Sequence, residues 1–288
     1  MTTQQTTERT LGDVALFPIG LGAMPMSVTG RPDEERSVAT IHAALDAGVR
    51  LVDTADAYCL GEDDFGHNER LISKALRGRR DGVLVATKGG HVRPGGAWET
   101  DGRPEHLKAA CEASLRRLET DTIDLYQFHR PDPDVPFAES VGALRDLRDE
   151  GKIRWAGLSN VTVAQIEEAE AIVPLASVQN QLSLAFPGPI ERGEVQACQD
   201  RGLAFLPWSP LGGISSAAEA PGRVAAVRAA AQRRGVSPQV VALAWLLALS
   251  PAILPIPGAS RPETIADSAG APRVVLDAEE LAAISAAV

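Results

Sequence analysis

Cysteine is scarce: Cys59, Cys111 and Cys198 are odd in number and show no metal-ligand spacing. Reduced thiols in the cytoplasm are the expectation, with no disulfide framework or metal centre. Positive charge is also short. Against 38 acidic residues stand 28 Lys and Arg, a formal net charge of -10. Nucleic-acid binding needs a basic face to neutralise phosphate, so that class is disfavoured. No apolar run approaches membrane-spanning length; the longest, around Val240 to Leu249, carries Trp245 and stops at Ser250-Pro251. Met1 to Thr10 is polar and holds no hydrophobic signal segment. Internal repeats, low-complexity tracts and domain linkers are absent too. What is present is a chain of 288 residues, 44% hydrophobic, enough for a sizeable core. One domain over residues 1–288 is expected, with residues 1–8 as a flexible tail.

Strand-like and helix-like runs alternate along its length. Arg9 to Leu16 reads as a hairpin around Gly12-Asp13, a favoured two-residue turn. Strands are predicted at Pro18–Gly22, Val49–Asp53, Val83–Lys88, Ile123–His129, Ile153–Leu158, Ala176–Gln179, Leu203–Trp208 and Ile253–Ile256. Between them, helical spacing predicts Asp33–Ala47 (capped by Gly48), Asn68–Arg77, Pro104–Leu118, Phe137–Glu150, Thr162–Ile172 and Ile190–Arg201. Further helices are expected up to about Leu249, then over Pro262–Asp267 and Ala278–Ala287. Eight strand–helix units match an α/β fold of the closed (β/α)8 kind, a TIM barrel with an N-terminal β-hairpin and extra C-terminal helices. An open doubly wound sheet is the alternative, which eight units without a composition break disfavour.

Four polar residues stand at or just beyond strand ends: Asp53, Tyr58, Lys88 and His129. On a parallel barrel those positions converge at the C-terminal mouth, where this architecture keeps its chemistry. Tyrosine is a poor acid at neutral pH, with an unperturbed pKa of about 10. A lysine ammonium beside it favours phenolate and eases proton donation. The aspartate would anchor the lysine, and the histidine could orient a carbonyl or relay a proton. Such a group suits protonation of a developing alkoxide, and a cofactor must then supply hydride. Taken singly, Lys88 with Asp53 reads equally well as a structural ion pair, and Tyr58 as a rim residue.

The stretch Asp53-Thr54-Ala55-Asp56-Ala57-Tyr58 resembles a signature of the aldo-keto reductases. Gly151 to Asn160 and Ile256 to Arg261 are similar to two more, and the resemblance runs from about Arg9 to the C-terminus. It implies a nicotinamide dinucleotide bound without a Rossmann domain. By that resemblance Ser159, Asn160 and Gln179 hold the carboxamide. Trp208 stacks on the nicotinamide where most members have tyrosine. Ser209, Pro210, Leu211 and Gly212 follow the pyrophosphate, with Gly22 and Met24 also at the cofactor. Gly258, Ser260 and Arg261 begin the segment that meets a 2′-phosphate, favouring NADPH over NADH. Asp267-Ser268 stands where relatives often carry Glu-Asn, a departure that touches the adenine contact.

The substrate pocket is expected to be rimmed by Met24, Met26, Trp98 and residues 89–96, with His91 and Arg93 placed to meet an anionic group. Cys59 is expected to be an inert thiol. The reading is a cytoplasmic NADPH-dependent carbonyl reductase, monomeric or weakly homo-oligomeric, with Tyr58 as general acid. Pyridoxal, a sugar aldehyde, a small ketone and a secondary metabolite stay open as substrates. Two rivals are a redox-sensing nicotinamide-binding regulatory subunit and a Schiff-base lyase using Lys88.

Overall fold

The computed structural model describes residues 8–288; residues 1–7, most of the expected tail, lie outside the described residues. The chain opens with the hairpin β1 (Arg9–Leu11) and β2 (Val14–Leu16), paired across a two-residue turn at Gly12-Asp13. Gly12 adopts φ +59°, and Trp155 packs so closely there that a Cβ would lie 2.4 Å from the indole. Only glycine meets both demands.

Seven parallel strands follow: β3 (Leu21–Gly22), β4 (Leu51–Asp53), β5 (Leu84–Gly89), β8 (Ile123–Phe128), β9 (Ile153–Ser159), β10 (Leu175–Gln179) and β11 (Ala204–Phe205). They neighbour one another in that order. Between β5 and β8 lies a small antiparallel ribbon, β6 (His91–Val92) with β7 (Glu99–Thr100), in a stretch where no strand was expected. The eighth stave, residues 253–258, closes the circle. It bridges Phe205 through Ile253 on one side and Gly22 through Gly258 on the other. Gly20 and Gly22 donate to the carbonyls of Pro255 and Pro257 at 2.8 and 2.9 Å. Pro255 and Pro257 have no N–H to return and only Ala259 gives one back, to the Gly22 carbonyl at 3.4 Å, so no regular strand forms there.

Helices sheath the barrel: α1 (Glu34–Asp46), α2 (His67–Ala75), α3 (Pro104–Leu118), α4 (Phe137–Asp149), α5 (Val163–Glu170), α6 (Gly188–Glu191), α7 (Glu194–Arg201), α8 (Ala220–Arg223), α9 (Ala225–Arg234), α10 (Pro238–Leu249), α11 (Pro262–Ser268) and α12 (Ala278–Ser285). The helix expected over Ile190–Arg201 is two, split where Gly193 turns left-handed at φ +80°. Among the described residues no helix is long and apolar enough to cross a membrane.

Strand periodicity divides the core in two. Leu51, Leu84, Ala86, Leu125, Ala204, Leu206, Leu254 and Ile256 form the barrel's inner cluster, together with Leu11 and Leu16 from the hairpin. The opposite strand faces, Val52, Val85 and Tyr126 among them, pack against the helices. The hairpin is locked by Arg9, whose guanidinium donates to the carbonyls of Ile253 and Leu247 at 2.9 and 2.7 Å. With one mouth plugged by apolar side chains, the inward polar positions gather at the other.

Candidate active site

Asp53 ends β4 and Lys88 lies next to last in β5, so both sit at the C-terminal ends of adjacent strands. Lys88 is wholly buried, and its ammonium makes three bonds: 2.6 Å to Asp53 Oδ1, 2.7 Å to the Thr54 carbonyl and 3.0 Å to the Tyr58 hydroxyl. An ammonium has three donors, so all are spent. Asp53 Oδ2 in turn accepts from Gln179 at 2.8 Å and Gln127 at 3.2 Å. Gln127 was missed at the sequence level, although it lies in β8 two residues before His129.

Burial holds Tyr58 above the usual tyrosine range, while the Lys88 charge pulls the other way without winning. That corrects the expectation of net acidification by lysine: in this pocket the phenol is firmly protonated at neutral pH. Burial also works against the Lys88 charge, but Asp53 and Tyr58 outweigh it and its pKa is raised. A nucleophilic free amine at Lys88 is therefore disfavoured, and with it the lyase rival.

Several polar contacts fix the loop that carries Tyr58. Thr54 and Asp56 donate backbone N–H to Ala86 and Lys88 of β5. Thr54 Oγ1 bonds Asn68 Oδ1 at 2.5 Å, and Asn68 Nδ2 reaches the Ala23 carbonyl. Arg93 closes the far side, donating to the carbonyls of Ala57 and Cys59 at 3.2 and 2.9 Å and to those of Gly96 and Ala97. Its guanidinium also stacks on Trp98, 3.9 Å from the ring centre. The anion-receiving role expected of Arg93 is thus replaced by a structural one: its acceptors are backbone carbonyls, which sequence does not display. Met26, expected at the pocket rim, is fully buried in the outer core. Met24 is half-buried on the turn beside it, and Cys59 is a buried thiol pushed up by burial.

Asp56 is a residue the sequence reading passed over. It is fully buried, and among the described residues neither carboxylate oxygen makes a well-formed hydrogen bond, though the Ala57 N–H favours the charged form. Its acidic neighbour Glu69 takes Thr87 at 2.6 Å and Arg117 at 2.5 Å. Burial first, and Glu69 second, raise the Asp56 pKa well above the carboxylate range. Neutralisation by protonation is the ordinary response of such a group.

His129 follows β8, buried, its ring 5.8 Å from that of Tyr58. Burial, reinforced by Lys88 and His91, holds it well below the usual histidine range, so it is neutral at pH 7. Nδ1 is buried without a partner. An orphaned lone pair is tolerated better than an orphaned N–H, which places the proton on Nε2.

The residues after β9 make a second cluster. Asn160, at φ +61°, donates Nδ2 to the His129 carbonyl at 2.9 Å and to Ser159 Oγ at 3.0 Å. Its Oδ1 accepts the Trp208 indole N–H at 3.2 Å. A carbonyl on one side and an N–H on the other permit only this orientation of the amide. Ser159 gives its own proton to the Gln179 carbonyl at 2.7 Å, so it steadies Asn160 and has no donor to spare. Gln179 spends its NH2 on Asp53 and Gln127, leaving Oε1 without a partner. In the following loop Ser209 has φ +50°, Gly212 φ +96° and Gly213 φ +97°. The N–H groups of Leu211, Gly213 and Ile214 meet no acceptor among the described residues.

The remaining predicted positions are scattered around the rim. Gly22 pairs with Asp53 and lies where a Cβ would come 2.8 Å from the Ile256 carbonyl, so its bareness serves barrel closure. Gly258 bridges Gly22, and exposed Arg261 stands at the head of α11, its guanidinium without a bonded partner among the described residues. Ser260 is half-buried beside it. Asp267 accepts from Ser237 at 2.6 Å and Ser268 is buried.

A profile of the Aldo/keto reductase family matches residues 18–288. The chain belongs to the aldo-keto reductase family. Among curated relatives, a 6-dehydroglucose reductase of Novosphingobium aromaticivorans is 36% identical over 91% of this chain and 88% of its own. An uncharacterized oxidoreductase of Schizosaccharomyces pombe is 36% identical over 94% and 87%. Two solved structures of the same fold are similar throughout. Glycerol dehydrogenase from Gluconobacter oxydans has a TM-score of 0.83 at 28% identity, covering 97% of this chain and 94% of that one. An aldo/keto reductase from Klebsiella pneumoniae in complex with NADP and acetate has a TM-score of 0.81 at 30% identity, with coverage of 97% and 94%. The curled seven-stranded sheet with its closing stave is this family's TIM barrel.

Proposed function

We propose that this chain is an NADPH-dependent carbonyl reductase in which Tyr58 is the general acid. One observation carries the assignment: all three Lys88 donors are spent, one of them on the Tyr58 oxygen, so the phenolic proton is free to point elsewhere. A tyrosine that accepts from an ammonium and has its own O–H unengaged is built to give that proton away. The charge left on its oxygen would be met by Lys88 at 3.0 Å, an interaction that strengthens as the proton leaves. His129, neutral and protonated on Nε2, would donate to the same carbonyl oxygen and hold it near Tyr58. Asp53 keeps Lys88 charged and in place.

The residues present fit a nicotinamide dinucleotide, which when bound supplies the hydride. Gln179 Oε1 and the second lone pair of Asn160 Oδ1 are acceptors suited to a carboxamide NH2. Trp208 offers an indole face. The unpartnered amides of Leu211, Gly213 and Ile214 suit a pyrophosphate. Arg261, unpaired and exposed, suits a 2′-phosphate, with Ser260 alongside; the Klebsiella pneumoniae relative binds NADP. Asp267, tied to Ser237, is left on the adenosine side as a weaker contact.

The names of two relatives, a 6-dehydroglucose reductase and a glycerol dehydrogenase, favour a small polyhydroxylated carbonyl over pyridoxal. A screen of aldehydes, ketones and pyridoxal, followed by loss of NADPH absorbance, tests the reading. Reduction of at least one carbonyl class is expected. NADPH binding without turnover on any of them would instead support a regulatory subunit.

A further inference from the structure

His91 stands beside the proposed proton donor and is not used by the chemistry above. Its ring lies 4.3 Å from that of His129, at 77° to it, and 5.5 Å from Trp98. Nδ1 bonds the Glu99 carbonyl at 2.8 Å across the β6–β7 ribbon. A carbonyl only accepts, so Nδ1 carries the hydrogen and Nε2 is a bare lone pair. Nε2 has no partner among the described residues and is not sealed from solvent, on a ring packed between His129 and Trp98. Packing between His129 and Trp98, together with the Glu99 bond, leaves the ring no freedom to turn. Two neutral imidazoles in contact therefore present opposite chemistry at the mouth: His129 an N–H donor, His91 an acceptor.

We propose that His91 is a specificity-determining residue that accepts a hydrogen bond from a hydroxyl on the carbon next to the substrate carbonyl, selecting α-hydroxy aldehydes and ketones. This rests on the reading of His129 as the group that holds the carbonyl oxygen. Adjacent rings serve oxygens on adjacent carbons, one oxygen accepting and the other donating. Arg93 is committed to backbone carbonyls, and the Tyr58 oxygen already accepts from Lys88. A deoxy substrate would leave Nε2 dry and unpaired, a loss that discriminates without any steric clash.

The test compares glycolaldehyde with propanal, which differ by a hydroxyl in place of a methyl, in wild-type enzyme and in His91→Phe and His91→Gln. Phenylalanine keeps a flat ring against His129 but deletes the acceptor; glutamine keeps an acceptor oxygen. The ratio of kcat/KM values cancels the intrinsic reactivity of the two aldehydes. His91→Phe should lower the glycolaldehyde-to-propanal ratio roughly two- to tenfold, the scale of one neutral hydrogen bond. His91→Gln should retain most of it. An unchanged ratio in His91→Phe, or an equal fall for both substrates, overturns the proposal. Should His91→Phe not fold, wild-type enzyme decides with methoxyacetaldehyde, which keeps the oxygen but has no proton to give. It should be a poorer substrate than glycolaldehyde, and equal efficiency overturns the proposal. Propanal turnover by wild-type enzyme tests the carbonyl-reductase reading separately.

Discussion

Trp208 donates its indole N–H to Oδ1 of Asn160 at 3.2 Å, and the same Asn160 holds the His129 carbonyl at 2.9 Å. One amide thus ties the loop after the seventh strand to the residue after the fourth. Tyrosine at position 208 could not make this bond, because its only donor is on the far tip of the ring. Trp208→Phe keeps an aromatic face and deletes the donor, leaving the Asn160 amide held through Nδ2 alone. NADPH binding should weaken about two- to tenfold, as for one neutral hydrogen bond. Fluorescence titration checks this, and unaltered affinity would reduce the bond to a packing detail.

Arg261 is expected to read the cofactor's 2′-phosphate. Arg261→Ala should weaken NADPH roughly tenfold to hundredfold while sparing NADH, since charge-assisted bonds contribute about 1.5–3 kcal/mol. Equal losses for both cofactors in parallel titrations would remove Arg261 from that role.

The sequence made the staves and the tetrad legible for a simple reason: both follow from local pattern. Pro104–Leu118 is a helix as predicted, with proline at its first turn and apolar residues at helical spacing. The last staves were harder. Leu203–Trp208 was expected as one strand, but only Ala204–Phe205 is regular: Phe205 exchanges bonds with Ala252 and Leu254 of the closing stave, and two residues on Pro207 has no N–H to continue that ladder. Arg93 was misread because its acceptors are main-chain carbonyls brought together by folding. Asp56 sits inside the very motif that carries the resemblance, yet nothing local says that its carboxyl is buried without a well-formed hydrogen bond.

Histidines make stability depend on pH. Burial holds His129, His91 and His67 below their ordinary pKa of 6.5 in the folded protein. At these sites the unfolded chain therefore binds protons first as pH falls, so the histidines' contribution to stability is full above about pH 6.5 and is lost progressively below it, against the opposite effect of the single raised Asp56 carboxyl. The melting temperature should drop between about pH 7 and pH 5, and His129→Gln should flatten the drop. An unchanged slope in that variant would mean that His129 is not held neutral by folding.

Lys88→Met removes the cation between Asp53 and Tyr58 while keeping much of the stem's volume. Breaking a buried pair from one side costs on the order of 3–5 kcal/mol, so a lower melting temperature should accompany a large loss of turnover. Lys88→Arg should restore charge but not rate, because a planar fork cannot deliver three bonds from one compact centre. Wild-type turnover in Lys88→Met would disprove the coupling.

The most direct measurement concerns the Tyr58 proton itself. Tyr58→Phe preserves the ring, its contact with His129 and the loop held by Arg93, and deletes only the hydroxyl that Lys88 touches at 3.0 Å. Single-turnover reduction of an aldehyde with bound NADPH should slow by roughly 10²–10⁴-fold, the range of general acid catalysis, with NADPH affinity unchanged. Reduction at the wild-type rate would contradict the account, because the acid would then have to be some group other than Tyr58.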